Sequence, residues 1–511
     1  MKGRKLVGAL LLLVAAGVAA AGAGVWRLRK GPGLPEGSAC VSRGSNSWVV
    51  GGRRSRSGKP LLANDMHLGL DAPTIFHFVG LHAPGLDVVG MGLAGTPGVV
   101  AGHTPAVAWG YTNAMVDDTD FFVERVDPTD STRYLTPEGS EPFRMREEVV
   151  RVRGREAPET LVVRETRHGP VMTQVEARAG GEVMALRWSA HDPSTTAEAI
   201  LGMNRARSAG ELLDALRLFS NPHQNVVFAD TAGRYGYWMA GRVPPLRNGR
   251  PSLLPVPGWT GESDWIGHLP FEDHPHVLDP ASGVVVTANH RQSRSDVGDL
   301  IADGSWARPY RAMRIQQLLD AEPLHDAATL HRIQMDVGSA FVDRYKAFAV
   351  AAFRAGGLAG AADGVSAWDG RATTRSREAV LFFSLVQALR KRLRKDLYGG
   401  EDGYYPLSAL ERALDHGTVP GRVLAEAATE AAAVSRGLTW GDANHLELDH
   451  PKRRLHPPGT AVRGSGVASR VRPAPGMALR WPRPAPSGPG GRGGEVDRAP
   501  RAPAGARAAR A

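Results

Sequence analysis

The sequence predicts an α+β protein. Apolar segments of strand length crowd the first half of the body, whereas the spacing of apolar residues turns helical from Ala307 onward. At 511 residues and 42% hydrophobic, the chain is long enough for one large or two medium cores.

The chain opens with Lys2, Arg4 and Lys5, followed by an apolar run from Leu6 to Trp26 that Arg27, Arg29 and Lys30 close. A run of 21 residues can just cross a hydrocarbon layer as a helix. The basic start and Ala19-Ala20-Ala21 also suit a secretory signal. Residues 1–30 are therefore expected to be a signal peptide or membrane anchor, with membrane contact through residues 6–26. The expected location is anchored or secreted, outside the cytoplasmic membrane. Residues 31–44 are expected to be a short Gly/Pro linker or the remnant of a pro-segment.

In the body, Ser47 to Val50 and Lys59 to Ala63 flank the turn-rich Arg53–Gly58 and read as a strand pair. Further strands are expected at Ile75–Leu81, Leu86–Val89, Val107–Tyr111, Glu148–Arg153, Glu159–Glu165, Val183–Trp188, Asn225–Ala229 and Val284–Ala288. Helices are expected at Thr196–Leu218, Ala307–Leu319, Ala328–Asp336, Val342–Phe353 and Arg377–Leu393, with Gly356–Gly364 as a loop inside the helical lobe. Residues 458–511 are rich in Pro, Gly, Ala and Arg and cannot repay their ordering entropy by burial, so a disordered basic tail is expected there.

Charge and cysteine narrow the function classes. The chain carries 62 Lys+Arg against 52 Asp+Glu, a net +10. Residues 451–511 alone hold a net +11, which leaves the first 450 residues one charge negative and gives no support to specific nucleic-acid binding. The single cysteine, Cys40, excludes an internal disulfide framework and a four-thiolate zinc site. Gly90-Met91-Gly92-Leu93-Ala94-Gly95 spells a dinucleotide fingerprint, but Thr96-Pro97-Gly98 follows where a helix is needed. It reads as a tight turn beside the core. No G-x-S-x-G elbow or H-E-x-x-H is present.

The informative stretch is Gly44-Ser45-Asn46-Ser47-Trp48-Val49-Val50, followed by Gly58-Lys59-Pro60-Leu61-Leu62-Ala63-Asn64-Asp65-Met66-His67. Further blocks follow in order: Thr96-Pro97-Gly98, Gly102-His103, Ala108–Asn113, Asp117–Asp120, Gln224–Asp230, Gly236-Tyr237, Pro255–Gly261, Asp264-Trp265, Leu269–Glu272, Thr287-Ala288-Asn289 and Thr439–Asp442. Together they resemble the penicillin acylase family of amino-terminal-nucleophile (Ntn) hydrolases, which includes penicillin, cephalosporin and acyl-homoserine-lactone acylases. The resemblance implies a four-layer αββα core with a helical lobe, residues 45–457 forming the catalytic region.

It also implies a chemistry: an amidohydrolase acting on small N-acyl compounds of β-lactam or acyl-homoserine-lactone type. Cutting the Gly44–Ser45 bond would give Ser45 a free α-amine, so one residue would supply both nucleophile and base. Residue-wise matching places the oxyanion donors at the Asn113 backbone N–H and the Asn225 side chain, and an orienting arginine at Arg247. His67 falls where some family members carry histidine, near the serine, and could assist self-cleavage. Asp117 and Asp120 match two carboxylates of a structural calcium site, the only cofactor implied. His103 reads as a packing or turn residue, and Trp259, Trp265 and Phe271 as core or pocket wall.

The chain departs from the family at both ends. Only 44 residues precede Ser45, where family precursors carry a long α segment, so an incomplete fold is expected, with a separate α segment or chain as a partner. Beyond about Pro457 the resemblance stops. The alternative reading is a catalytically inactive, exported or anchored scaffold that keeps the acylase fold.

Overall fold

A computed structural model describes residues 44–68, 74–173, 182–244, 254–292, 306–398, 406–446 and 462–463. The expected anchor at 6–26, the linker before Gly44 and nearly all of the basic tail lie outside the described residues. Among the described residues no helix is long and apolar enough to cross a membrane. The expected membrane contact through residues 6–26 and the anchored location are corrected on that finding.

The chain begins with β1 (Gly44–Val50) and β2 (Leu61–His67), an antiparallel pair. An antiparallel run follows: β3 (Phe76–Ala83), β4 (Leu86–Leu93), β5 (Ala101–His103) and β6 (Val107–Asn113). β7 (Thr119–Glu124) leads into short ribbons, β8 (Val126–Asp127), β9 (Asp130–Thr136), β10 (Gly139–Pro142), β11 (Arg144–Val150), β12 (Glu159–Thr166) and β13 (Gly169–Pro170), before β14 (Val183–Trp188) returns to β7. Helices α1 (Thr196–Met203) and α2 (Ala209–Leu216) precede β15 (Gln224–Asp230), β16 (Tyr235–Ala240), β17 (Val256–Pro257), β18 (His276–Leu278) and β19 (Val284–Thr287). Helices then dominate: α3 (Tyr310–Asp320), α4 (Ala327–Gln334), α5 (Ala340–Ala355), α6 (Ala359–Ala367), α7 (Arg377–Tyr398), α8 (Leu407–Asp415), α9 (Gly421–Val434) and the short α10 (Trp440–Ala443).

Two sheets organise the site: a three-stranded one in the order β19-β1-β2, and a seven-stranded one in the order β18-β16-β15-β6-β5-β4-β3. Side chains alternate across a strand, and the buried clusters follow that alternation. Val226, Phe228, Trp238 and Trp109 pack against Ile200, Met203, Leu212 and Leu216 of α1 and α2. On the opposite face, Val227, Ala229, Tyr237 and Met239 meet Val49 and Val285 of the three-stranded sheet. The outer side of that sheet, with Trp48, Val50, Ala63 and Val284, packs on Ile315 and Leu319 of α3 and Leu330 and Ile333 of α4. The result is helix, sheet, sheet, helix: the expected αββα core. A separate cluster including Phe341, Phe353, Phe382 and Trp440 forms the core of the helical lobe.

Three local expectations change. Residues 196–218 form two helices, because Asn204 turns out of the helix to bond Val99 through both its amide nitrogen and its oxygen, each at 2.7 Å, and Ser208 caps α2 by accepting the Glu211 N–H. The expected loop at Gly356–Gly364 contains the start of α6, whose Ala362 and Val365 are buried in the lobe. Gly90 and Gly92 lie within β4 rather than in a turn. A Cβ on Gly90 would stand 2.2 Å from the Ala101 carbonyl oxygen and one on Gly102 would stand 2.2 Å from that of Val89, so the glycines permit close strand contact.

Candidate active site

Ser45 is buried near the start of β1, in register with Met66 of β2. Its backbone N–H donates to Asn289 Oδ1 at 2.7 Å. Asn289 is itself buried and stands just past β19, where its backbone swings to φ 61°. The β1–β19 register pairs Ser47 with Thr287, so Asn289 occupies the step opposite Ser45. Its side chain thus takes the N–H as the backbone leaves the sheet. The same carboxamide donates from Nδ2 to the Asn113 carbonyl at 3.0 Å, linking the serine to the end of β6.

Arg311, in the first turn of α3, gathers this group. Its Nη1 donates to the Ser45 carbonyl at 2.7 Å and to Asn46 Oδ1 at 2.6 Å, and its Nη2 donates to Asn289 Oδ1 at 2.9 Å. Burial pulls the guanidinium down to about 10, against the attraction of Asp65, which leaves it charged at neutral pH. Its positive charge and burial together hold neighbouring His290 low, at about 4, with burial the larger cause.

His67 is buried at the end of β2, in register with Gly44. Its Nδ1 lies 3.2 Å from the Asp65 carbonyl oxygen, and a Cβ on Gly44 would stand 3.1 Å from its Nε2. The ring therefore adjoins the residue before the serine, on the strand face opposite the one Ser45 uses.

The other expected residues are distributed differently. Asn113 ends β6, and its carbonyl accepts from both Asn289 and Asn225. Asn225 points into the sheet interface: its Oδ1 accepts from Tyr237 at 2.8 Å and its Nδ2 donates to Thr112 Oγ1 at 3.1 Å and the Asn113 carbonyl at 3.3 Å. The asparagine that contacts Ser45 is Asn289, with Arg311 behind it. Arg247 lies outside the described residues. Sequence reasoning assigned no role to Asn289 or Arg311, although Asn289 closes an apolar strand and stands in one of the resembling blocks.

The calcium expectation is corrected. Among the described residues no group of three or more His, Cys, Asp or Glu side chains is arranged to hold a metal. Asp120 is buried, accepts from Trp265 Nε1 at 2.6 Å, and has its carboxyl pushed up by burial. Asp117 lies nearby without completing a cluster. Of the expected wall residues, Trp259 lies under the Arg125 guanidinium, Trp265 bonds Asp120, and Phe271 stacks on Trp238 at 4.9 Å.

With this geometry in view, comparison with known proteins is direct. The penicillin amidase family model matches residues 7–484. The acyl-homoserine lactone acylase QuiP of Pseudomonas aeruginosa is 32% identical over 385 residues, which covers 70% of this chain and 45% of that protein. The penicillin acylase 2 proenzyme of Pseudomonas sp. (strain SE83) is 30% identical over 457 residues, 84% of this chain and 58% of that protein. The chain thus spans about half the length of the curated relatives it matches. Among solved structures, the thermostable penicillin G acylase from Alcaligenes faecalis superposes with a TM-score of 0.67 at 20% identity, over 82% of this chain and 86% of that one. An αββα core with a serine, two asparagines and an arginine joined at its sheet interface agrees with the sequence match: the chain belongs to the penicillin amidase family.

Proposed function

We propose that this chain is an amidohydrolase that uses Ser45 as an amino-terminal nucleophile on small N-acyl amides. The observation that carries the reading is the seating of the Ser45 nitrogen on Asn289 Oδ1, with Arg311 bonded to both residues. Cleavage of the Gly44–Ser45 bond turns that N–H into an α-amine, and Asn289 is already in place to orient it. The adjacent guanidinium disfavours a second positive charge, which keeps the amine neutral and able to accept a proton.

In this reading the Ser45 hydroxyl passes its proton to the amine, through a bridging water, as its oxygen attacks the acyl carbonyl. The resulting oxyanion is met by the Asn113 backbone N–H and by Asn289 Nδ2, whose second hydrogen is not used by the Asn113 carbonyl. Collapse transfers the proton to the leaving amine, and water then hydrolyses the acyl-serine ester. His67, beside Gly44, serves the self-cleavage step rather than turnover. Relatives named as acyl-homoserine lactone and penicillin acylases support acyl amides as the substrate class.

The test is intact mass and amino-terminal sequencing of the purified chain beside a Ser45→Ala control. A fragment that starts at Ser45, absent from the control, followed by hydrolysis of N-acyl homoserine lactones or penicillins, is the expected result. A folded, uncut wild-type chain without amidase activity would sink the reading.

A further inference from the structure

We propose that Asn64 is a positioning residue whose carboxamide fixes the gap between the strand carrying Ser45 and the strand ending in Asn113. The proposal deepens the amidohydrolase reading and, for its catalytic consequence, rests on it. Asn64 lies on β2 in register with Ser47, on the face turned toward the seven-stranded sheet. Its Nδ2 donates to the Asn46 carbonyl at 2.9 Å and to the Tyr111 carbonyl at 2.9 Å, while its Oδ1 accepts the Tyr111 N–H at 3.1 Å. Two carbonyls and one N–H as partners fix which end of the carboxamide is oxygen and which is nitrogen.

The place of this contact matters. β5 pairs with β6 only at Gly102–Trp109 and His103–Ala108, so the ladder on that side ends before Tyr111. Asn64 bonds the N–H and the carbonyl of Tyr111 as a neighbouring strand would, but from the other sheet. Asn46 directly follows the nucleophile, and Tyr111 stands two residues before Asn113. Gly110 makes room for the arrangement: a Cβ there would lie 2.7 Å from Asn64 Cβ and 2.8 Å from its Cγ. Apart from the Asn289 Nδ2 bond to the Asn113 carbonyl at the strand ends, the sheets meet through apolar side chains such as Val49, Val227 and Tyr237, which fix the layer spacing without fixing the offset. A directional three-bond link supplies that offset.

The experiment compares the full-length wild type with Asn64→Ala, Asn64→Asp and Gly110→Ala. It reads backbone amide exchange, the rate of cleavage before Ser45, and kcat and KM of the cut protein on N-acyl amides. Asn64→Ala is expected to speed exchange of the Tyr111 amide at least about tenfold while Val226–Ala229 stay protected. Cleavage and kcat should fall about a hundredfold, with KM within about threefold, as for a nucleophile displaced by a fraction of an ångström. Asn64→Asp, which sets a carboxylate against two carbonyls, should be worse, and Gly110→Ala should give the same pattern with Asn64 intact. Unchanged cleavage and kcat in Asn64→Ala would overturn the proposal. So would a uniform loss of protection across both sheets, with activity tracking the unfolded fraction. Should the wild type itself be uncut and inactive, the amidohydrolase reading fails and exchange alone judges the clamp: local exposure at Tyr111 supports it, and unchanged protection overturns it.

Discussion

Asn289 completes with its side chain the hydrogen-bond step opposite Ser45 that β19 leaves open. Extending β19 by two more residues would place an ordinary carbonyl opposite Ser45, which could accept but not donate. A carboxamide does both, accepting from Ser45 and donating to Asn113. Asn289→Ala is expected to lower kcat by about a hundredfold to a thousandfold with little change in KM, as for loss of one oxyanion donor. Steady-state kinetics on the cut protein check it, and a variant with wild-type kcat would remove Asn289 from the chemistry.

Arg311 carries a structural burden that can be measured apart from activity. Arg311→Met would leave the Ser45 carbonyl, Asn46 Oδ1 and Asn289 Oδ1 without their shared donor in a buried site. The cost should be about 3 kcal/mol, since buried acceptors stripped of a charged donor lose more than an average hydrogen bond. Arg311→Lys keeps the charge but not the fork and should fall between the two. Urea unfolding in a Ser45→Ala background, where cutting cannot intervene, gives the comparison.

The acid limb of stability should depend on Asp264. His168 is stacked on Phe122 and places Nδ1 2.7 Å from Glu124 Oε1 and Nε2 2.9 Å from Asp264 Oδ1. Burial pushes the Asp264 carboxyl up, but hydrogen bonds from Arg167 and His168 outweigh it and hold the group below the usual aspartate range. A depressed carboxyl contributes stability above its unfolded value, about 3.9, and loses it as pH falls through the lower folded value. The urea midpoint of the wild type should therefore exceed that of Asp264→Asn at pH 6, and the two should converge in strong acid. A constant difference down to that limit would contradict the linkage.

Close strand contact at Gly90 predicts intolerance to a single methyl. Gly90→Ala sets a Cβ 2.2 Å from one backbone atom and 2.6 Å from another, so β4 and β5 must separate. A loss of about 1 to 3 kcal/mol is expected, the range for overpacked sites. Urea denaturation reads it directly.

Much of the architecture was legible because strand alternation is local. Val226 and Phe228 against Val227 and Ala229 already mark two buried faces, hence a sheet with a layer on each side. The site was less legible because its partners meet across 244 and 266 positions, and nothing near Ser45 names them. The family resemblance pointed to Asn225 and Arg247, whereas the asparagine and arginine bonded to Ser45 are Asn289 and Arg311. Sequence pattern also misjudged Gly356–Gly364, where alanine content and two buried side chains favoured helix over the glycines.

Asn64, Asn204 and Asn289 each use a side-chain carboxamide where a peptide group would otherwise stand. Each of the three would lose that role if its side-chain amide were hydrolysed to a carboxylate. Deamidation at any of the three would exchange a donor for an anion while barely altering mass or shape, turning an attraction to a carbonyl into repulsion. An aged preparation would then lose alignment before it lost its fold, and a faded batch could pass every test of size and secondary structure.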